Sequence, residues 1–277
     1  MSALPEAAAA EVPAPLGKGA IIAPGYRVVV HLARGRVLDA YGVWSSERDC
    51  LCVAKVLRPD RLDDRRSRRR LRGEGRLVMQ LAHPHIVRGY ELIERPEPVL
   101  VLEALTGETL DGLIERLPRR LPRTELAALG LQLCSAMSYL HSRGFLHLDL
   151  KPSNIVCESG QARVLDLSVS RRPGPARRPV GTRVYMAPEQ ARCGFLTEAT
   201  DVWGIGGVLY EAAAGRRPFH GREDPEGYPQ LGRRAEPMRI HRRLPRALAA
   251  AIDACLEPDP TLRPSTRELA AVLDPLA

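Results

Sequence analysis

Only three of the 41 basic residues in this chain are lysine, and two of the three lie in short motifs suited to phosphate. Lys55 closes Val53-Ala54-Lys55, and Lys151 lies within His147-Leu148-Asp149-Leu150-Lys151-Pro152-Ser153-Asn154. An ammonium is a compact point charge and a guanidinium is a planar fork, so they do not substitute for one another where a cation must sit among phosphate oxygens. A chain that uses arginine almost everywhere else keeps lysine at these two positions. The chemistry this points to is the handling of a phosphoryl group.

Elements must hold those side chains in place. Alternating apolar residues between turn signals predict strands over 26–30, 37–44 and 51–57, which puts Lys55 inside a strand. A helix is predicted over 65–81, with Leu71, Leu77, Val78 and Leu81 as its apolar positions. Strands over 87–92 and 99–103 complete a five-stranded sheet with one main helix. Thr106-Gly107 breaks this pattern. Beyond residue 124 the chain reads as mostly helical, with helices over 127–141, 200–214, 245–255 and 266–273. The fold class expected is α+β with two lobes: a flexible Ala/Pro-rich leader over 1–24, a small lobe over 25–103 and a larger helical lobe over 107–277. There is no internal repeat.

Composition excludes some functions. Hydrophobic content of 44% is ordinary for a globular protein, while 4% aromatic content leaves aliphatic side chains to fill the core. A net charge of +8 allows anionic partners, but there is no RNA-binding aromatic motif and no zinc-finger spacing, so nucleic-acid binding is not expected. The six cysteines form no Cys-x-x-Cys pair, which suits reduced thiols and a cytoplasmic location. No apolar run reaches the roughly 18 residues a membrane span needs. Glu6 and Glu11 interrupt the apolar leader, so it does not read as a signal peptide. No separate sensor domain or membrane anchor is expected.

The motifs and their order resemble the eukaryotic-type (Hanks-type) serine/threonine protein kinases, in a bacterial-like form. Val53-Ala54-Lys55 is similar to the third-strand lysine motif, and the segment from His147 to Asn154 is similar to the catalytic loop. Asp166-Leu167-Ser168 stands where the metal-binding Asp-Phe-Gly is expected. Gly181-Thr182-Arg183-Val184-Tyr185-Met186-Ala187-Pro188-Glu189 resembles the end of an activation segment, and Asp201-Val202-Trp203-Gly204 and Arg263-Pro264 match later landmarks. The resemblance runs from about Tyr26 to the C-terminus.

That resemblance implies transfer of the γ-phosphate of ATP to Ser or Thr of a protein, with Mg²⁺. Lys55 would hold the α- and β-phosphates, paired with Glu74. Asp149 would accept or orient the substrate hydroxyl proton, Lys151 would steady the transferring phosphate, and Thr182 would hydrogen-bond toward both. Asn154 and Asp166 would ligate Mg²⁺ through oxygen, which suits that ion. The nucleotide would also meet Gly35, Ala54 and Val156, with the backbone of Glu103 and Leu105 on adenine and Leu102 as gatekeeper. A small-molecule phosphotransferase could share the core, but it would usually lack Ala187-Pro188-Glu189 and the partner Arg263. Five arginines, 171, 172, 177, 178 and 183, lie between Asp166 and Glu189 with no acidic residue, so an acidic protein substrate is one expectation and a solvated face the other. The oligomeric state is not legible.

The pattern fails in places. The glycine-rich loop is degenerate: in Leu32-Ala33-Arg34-Gly35-Arg36-Val37-Leu38-Asp39-Ala40 only Gly35 remains, which should weaken a phosphate clamp. Ser168 should stiffen its segment, Leu148 replaces the usual arginine before Asp149, and Gly89 should leave a hole in a stacked apolar column unless a neighbour fills it. None of these changes removes a group that carries the proton or the metal. The competing reading is a pseudokinase, a nucleotide- or protein-binding module that signals through its shape.

Overall fold

The computed structural model describes residues 12–117, 120–219 and 227–277. It forms two compact units: one holds the described residues up to Met79 with Gly89–Ala104, the other Gln80–Arg88 with Leu105–Ala277.

The first unit is a six-stranded antiparallel sheet with one long helix. Its strands are β1 (Ile21–Ala23), β2 (Tyr26–Arg34), β3 (Leu38–Ser45), β4 (Cys50–Leu57), β5 (Gly89–Ile93) and β6 (Val99–Glu103), in the order β1-β2-β3-β4-β6-β5. Five strands were expected. The sixth, β1, falls in the stretch read as leader and pairs with β2 at the sheet edge. The leader is tied down before that strand as well: the Gly19 amide donates to the Val28 carbonyl, and the Leu16 amide to the Tyr41 hydroxyl. An Ala/Pro-rich composition did not signal these backbone bonds. The leader through residue 11 lies outside the described residues.

Helix α1 (Arg65–Val78) begins at Asp64, whose side chain accepts from the amides of Arg66 and Ser67. Leu71, Leu77 and Val78 bury its apolar stripe, and three of its arginines turn outward to bind Glu97, the Glu94 carbonyl and the Glu94 side chain. The ladder pairs Lys55 with Ala40 and Leu100, and Val53 with Gly42 and Leu102, so these share one face. The other face packs Tyr26, Val28, Tyr41, Val43, Cys52, Ala54, Val99 and Val101 into a buried cluster. The hole expected at Gly89 is filled: a Cβ there would lie 2.8 Å from Val78 Cγ1 and 3.0 Å from Met79 Sδ.

In the second unit come β7 (Glu108–Thr109), α2 (Leu110–Arg116), α3 (Arg123–Ser142), β8 (Ile155–Glu158), β9 (Gln161–Val164), β10 (Gly174–Pro175), α4 (Pro188–Ala191), β11 (Phe195–Leu196), α5 (Glu198–Ala214), α6 (Pro229–Gly232), α7 (Met238–His241), α8 (Arg246–Cys255) and α9 (Thr266–Leu273). Helix α5 is buried along nearly its whole length and is the axis on which α3, α7 and α8 pack. Residues 80–88 were assigned to the small lobe from sequence. They belong to this unit instead, because the Val87 amide donates to Val164 O, the Val164 amide to His85 O, and the Ala82 amide to the Tyr139 hydroxyl.

No helix among the described residues is long and apolar enough to cross a membrane. All six cysteines are free thiols. Burial and the adjacent Cys50 push Cys52 up to about 11, and burial pushes Cys134 up to about 12, so neither is a ready nucleophile at neutral pH.

Candidate active site

In the first unit, Lys55 Nζ lies 2.6 Å from Glu74 Oε1, and the Glu74 side chain is almost wholly enclosed. A strand lysine thus meets its carboxylate from the neighbouring helix. Ala54 does not share this surface. Successive strand residues point to opposite faces, and Ala54 is packed in the cluster on the far side of the sheet from Lys55. Val53, two residues before Lys55, is the side chain on the lysine's face. Alternation alone could have corrected this assignment. Gly35, Glu103, Ala33, Ala40 and Leu38 also lie in this unit, and the register puts Leu38 on the lysine's face.

The second unit holds Asp149, Lys151, Asn154, Val156, Asp166, Thr182 and Leu105. Asp149 is the centre of a tight constellation. Its Oδ1 accepts the Thr182 amide at 2.7 Å, and its Oδ2 lies 3.3 Å from both Lys151 Nζ and Asn154 Nδ2. Lys151 Nζ donates to Thr182 Oγ1 at 2.7 Å. Asn154 Nδ2 also donates to the Asp149 carbonyl at 2.9 Å. Val156 is buried in β8, paired with Thr109 and Arg163.

The backbone of this loop is strained where it matters. Leu148 has φ 68° and Asp166 has φ 60°, both in the left-handed region that residues with a Cβ rarely occupy. Asp201 over-determines the first of these. Its Oδ2 accepts the His147 amide, its Oδ1 the Leu148 amide, each at 2.8 Å, and its Oδ2 sits 2.8 Å from His141 Nε2. Burial pushes the Asp201 carboxyl up, but the hydrogen bond and charge of His141 outweigh it and hold it below the usual carboxylate range. His147 Nε2 in turn lies 3.0 Å from the Leu165 carbonyl, next to Asp166. Ser168 has no positive φ, so a serine fits there without strain in this conformation.

Gln190 was not found from sequence. Its Nε2 donates to the carbonyls of Leu148 (2.8 Å) and Val180 (2.7 Å), and its Oε1 accepts the Ala187 amide, so one side chain joins the Asp149 loop to the segment carrying Thr182. Gly181 lies between them at φ 110°, and a Cβ would come within 2.5 Å of the Leu148 carbonyl. Only glycine satisfies both demands. Further along, Arg263 clamps Glu189 bidentately at 2.7 and 2.9 Å, stacks on Trp203, and spends its other donors on the carbonyls of Glu257, Ala199 and Pro258. Leu148 itself packs with Leu146, Ala176 and Leu196, flanked by Val169, Val180 and Cys193.

Both amide hydrogens of Asn154 are committed to Asp149, which leaves Oδ1 as its free ligating atom. With the Asp166 carboxylate this is a hard oxygen donor set that fits Mg²⁺, an ion that keeps several waters and uses few protein ligands. No group of three or more His, Cys, Asp or Glu side chains placed to hold a metal occurs among the described residues.

Residues 26–272 match the family model described as the protein kinase domain. The chain is 32% identical over 231 residues to the serine/threonine-protein kinase PknB of Mycobacterium tuberculosis, covering 75% of this chain and 35% of that protein. It is 30% identical over 213 residues to PknA of Corynebacterium glutamicum, covering 73% and 45%, and 29% identical over 218 residues to mouse myosin light chain kinase 3, covering 76% and 27%. The aligned region thus spans less than half the length of each of these relatives.

Proposed function

The chain belongs to the protein kinase domain family, and from that premise we propose that it transfers the γ-phosphate of ATP to serine or threonine hydroxyls of a protein substrate. The observation that carries this reading is the Asp149–Lys151–Thr182 constellation. Asp149 is held by the Thr182 amide and Asn154 with Oδ2 beside Lys151 Nζ, a position from which it would orient the acceptor hydroxyl and take its proton. Lys151 would steady the transferring phosphate, and the Lys151–Thr182 bond would shape the place where the hydroxyl residue rests. Lys55, fixed by Glu74, would hold the α- and β-phosphates, beside Gly35 and Val53 in the place first given to Ala54. Asn154 and Asp166 would hold Mg²⁺, which when bound supplies neutralisation of the β- and γ-phosphate charge. Glu103 and Leu105 would bind adenine through their backbone, and Val156 would line the base. The protein would act in the cytoplasm.

The arginines of the activation segment support an acidic substrate. Arg172, Arg177, Arg178 and Arg183 are exposed along the segment, where opposite charge on a substrate would meet them. The second reading, a binding module without transfer, is favoured by one observation: Leu38 and Ala33 occupy the phosphate hairpin on the face of Lys55. Incubation with Mg²⁺ and γ-labelled ATP decides between them. Transfer to Ser or Thr that is lost in Asp149→Asn supports the enzyme, and ATP binding without transfer supports the module.

A further inference from the structure

Asp39 is fully buried beside the β2–β3 hairpin, on the sheet face away from Lys55, and has no part in the chemistry above. It lies directly across the ladder from Arg34, whose Nε and Nη2 donate to Asp39 Oδ1 and Oδ2 at 2.9 Å each. His31 Nε2 is 3.2 Å from Oδ1, and the Tyr41 hydroxyl is 3.5 Å from Oδ2. Two further bonds run from this network to the N-terminal segment: Arg34 Nη1 donates to the Pro13 carbonyl at 2.7 Å, and the Tyr41 hydroxyl accepts the Leu16 amide at 2.9 Å. Residues 13–16 therefore form a strap across the base of the hairpin.

The tip is held from another side. Arg58, fixed to Asp60 by two bonds of 2.9 and 3.0 Å, donates Nη1 to the carbonyls of Gly35 (3.2 Å) and Arg36 (3.4 Å), and its amide donates to the Val37 carbonyl at 3.0 Å. The Gly35 amide closes the turn on the Leu38 carbonyl at 2.8 Å. In a trans peptide the N–H points opposite to the C=O of the same plane. With the carbonyls of Gly35 and Arg36 turned toward Arg58, the amides of Arg36 and Val37 point away from it. Two adjacent amides that point to the same side are the donor arrangement that anion-binding concavities use.

We propose that Asp39 is a positioning residue for phosphate binding. Through Arg34 and the 13–16 strap it fixes the base of the hairpin, so that the Arg36 and Val37 amides are preorganised for nucleotide phosphate oxygens where two expected glycines are missing. This rests on the reading of the chain as an ATP-binding kinase. Preorganisation by side-chain scaffolding replaces the close backbone approach that glycine would allow.

The test is calorimetric titration of the full chain with Mg-ATP and, separately, with adenosine, for wild type, Asp39→Asn and Leu16→Pro. Asp39→Asn removes a negative charge, which by electrostatics alone would tighten ATP binding. Leu16→Pro changes no charge and removes the amide donor to the Tyr41 hydroxyl. Both variants should bind Mg-ATP about fivefold or more weakly, the loss of roughly one hydrogen bond of preorganisation, and adenosine within about twofold of wild type. ATP affinity retained in a folded variant, or an equal loss for ATP and adenosine, overturns the proposal. If Asp39→Asn does not fold, Leu16→Pro decides alone. Wild type that binds neither ATP nor adenosine overturns the kinase reading and this proposal with it. Wild type that binds ATP beside variants that bind it equally well overturns the positioning role only.

Discussion

Replacing Leu148 by arginine should loosen the activation segment instead of equipping it for control by phosphate. The backbone at 148 is fixed by Asp201 and Gln190, and φ 68° is as costly for arginine as for leucine, so the side chain is the only variable. Leu148 is 4% exposed and packs on Leu146, Ala176 and Leu196, with Val169, Val180 and Cys193 at the edge. None of these offers a carboxylate. Deleting such a leucine costs about 2–5 kcal/mol, and holding an unpaired guanidinium there costs several more. The activation segment, which joins the cluster through Ala176 and Val180, would yield before the helices do. Taking about 3 kcal/mol as the loss, at about 1.4 kcal/mol per factor of ten, local opening rises by about 150-fold. Hydrogen exchange with mass spectrometry reads this at the Arg171 and Ala176 amides, which donate to Leu146 O and Gly194 O. The same account predicts that wild type stripped of loop phosphate keeps its full initial rate. Exchange within threefold of wild type in Leu148→Arg refutes the reasoning. So does a tenfold fall in the bare wild-type rate that is reversed by phosphorylation of Ser168 or Ser170.

Arg263→Ala should cost about 3–5 kcal/mol, because it leaves Glu189 buried without its partner, and thermal or urea unfolding measures the loss. Gly181→Ala should fold but lose most activity, since its Cβ would push the Leu148 carbonyl and the Thr182 amide apart; structure determination of the variant checks the shift. Asp201 and Asp39 are both held below the usual carboxylate range by their partners against the opposing pull of burial. Their stabilisation is present above about pH 4 and is lost as pH falls through the folded values, so stability should drop on the acid side, and less steeply in Asp201→Asn. A peptide array should show preference for acidic residues around the target Ser or Thr, weakening with salt, and a basic preference rules this out.

The parts of this protein legible in its sequence are those carried by short motifs. The resemblance to a set of kinase motifs singled out Lys55, Glu74, Asp149, Lys151 and Asn154, and the structure pairs Lys55 with Glu74 and brings Asp149, Lys151 and Asn154 together on one loop. The Leu148 cluster was not legible because its members, 146, 148, 176 and 196, are brought together by the fold alone. The same holds for Gly89, whose missing side chain is replaced by Val78 and Met79 from the adjoining helix end. Gln190 and Asp39 act on backbone carbonyls and on an arginine across a ladder, and nothing in their neighbourhood marks them as special. The Val53–Ala54 assignment is a different failure, because the two-residue alternation of a strand already contained the answer.

Transfer of label from γ-labelled ATP, with Mg²⁺ and a mixture of Ser- and Thr-containing protein substrates, tests the central claim. Wild type should phosphorylate Ser or Thr. Asp149→Asn should fall by about a hundredfold or more, the usual range for losing a general base, and Asp166→Asn should abolish transfer, with both variants folded. Equal incorporation in wild type and Asp149→Asn, or ATP binding by wild type with no transfer at all, would contradict the account.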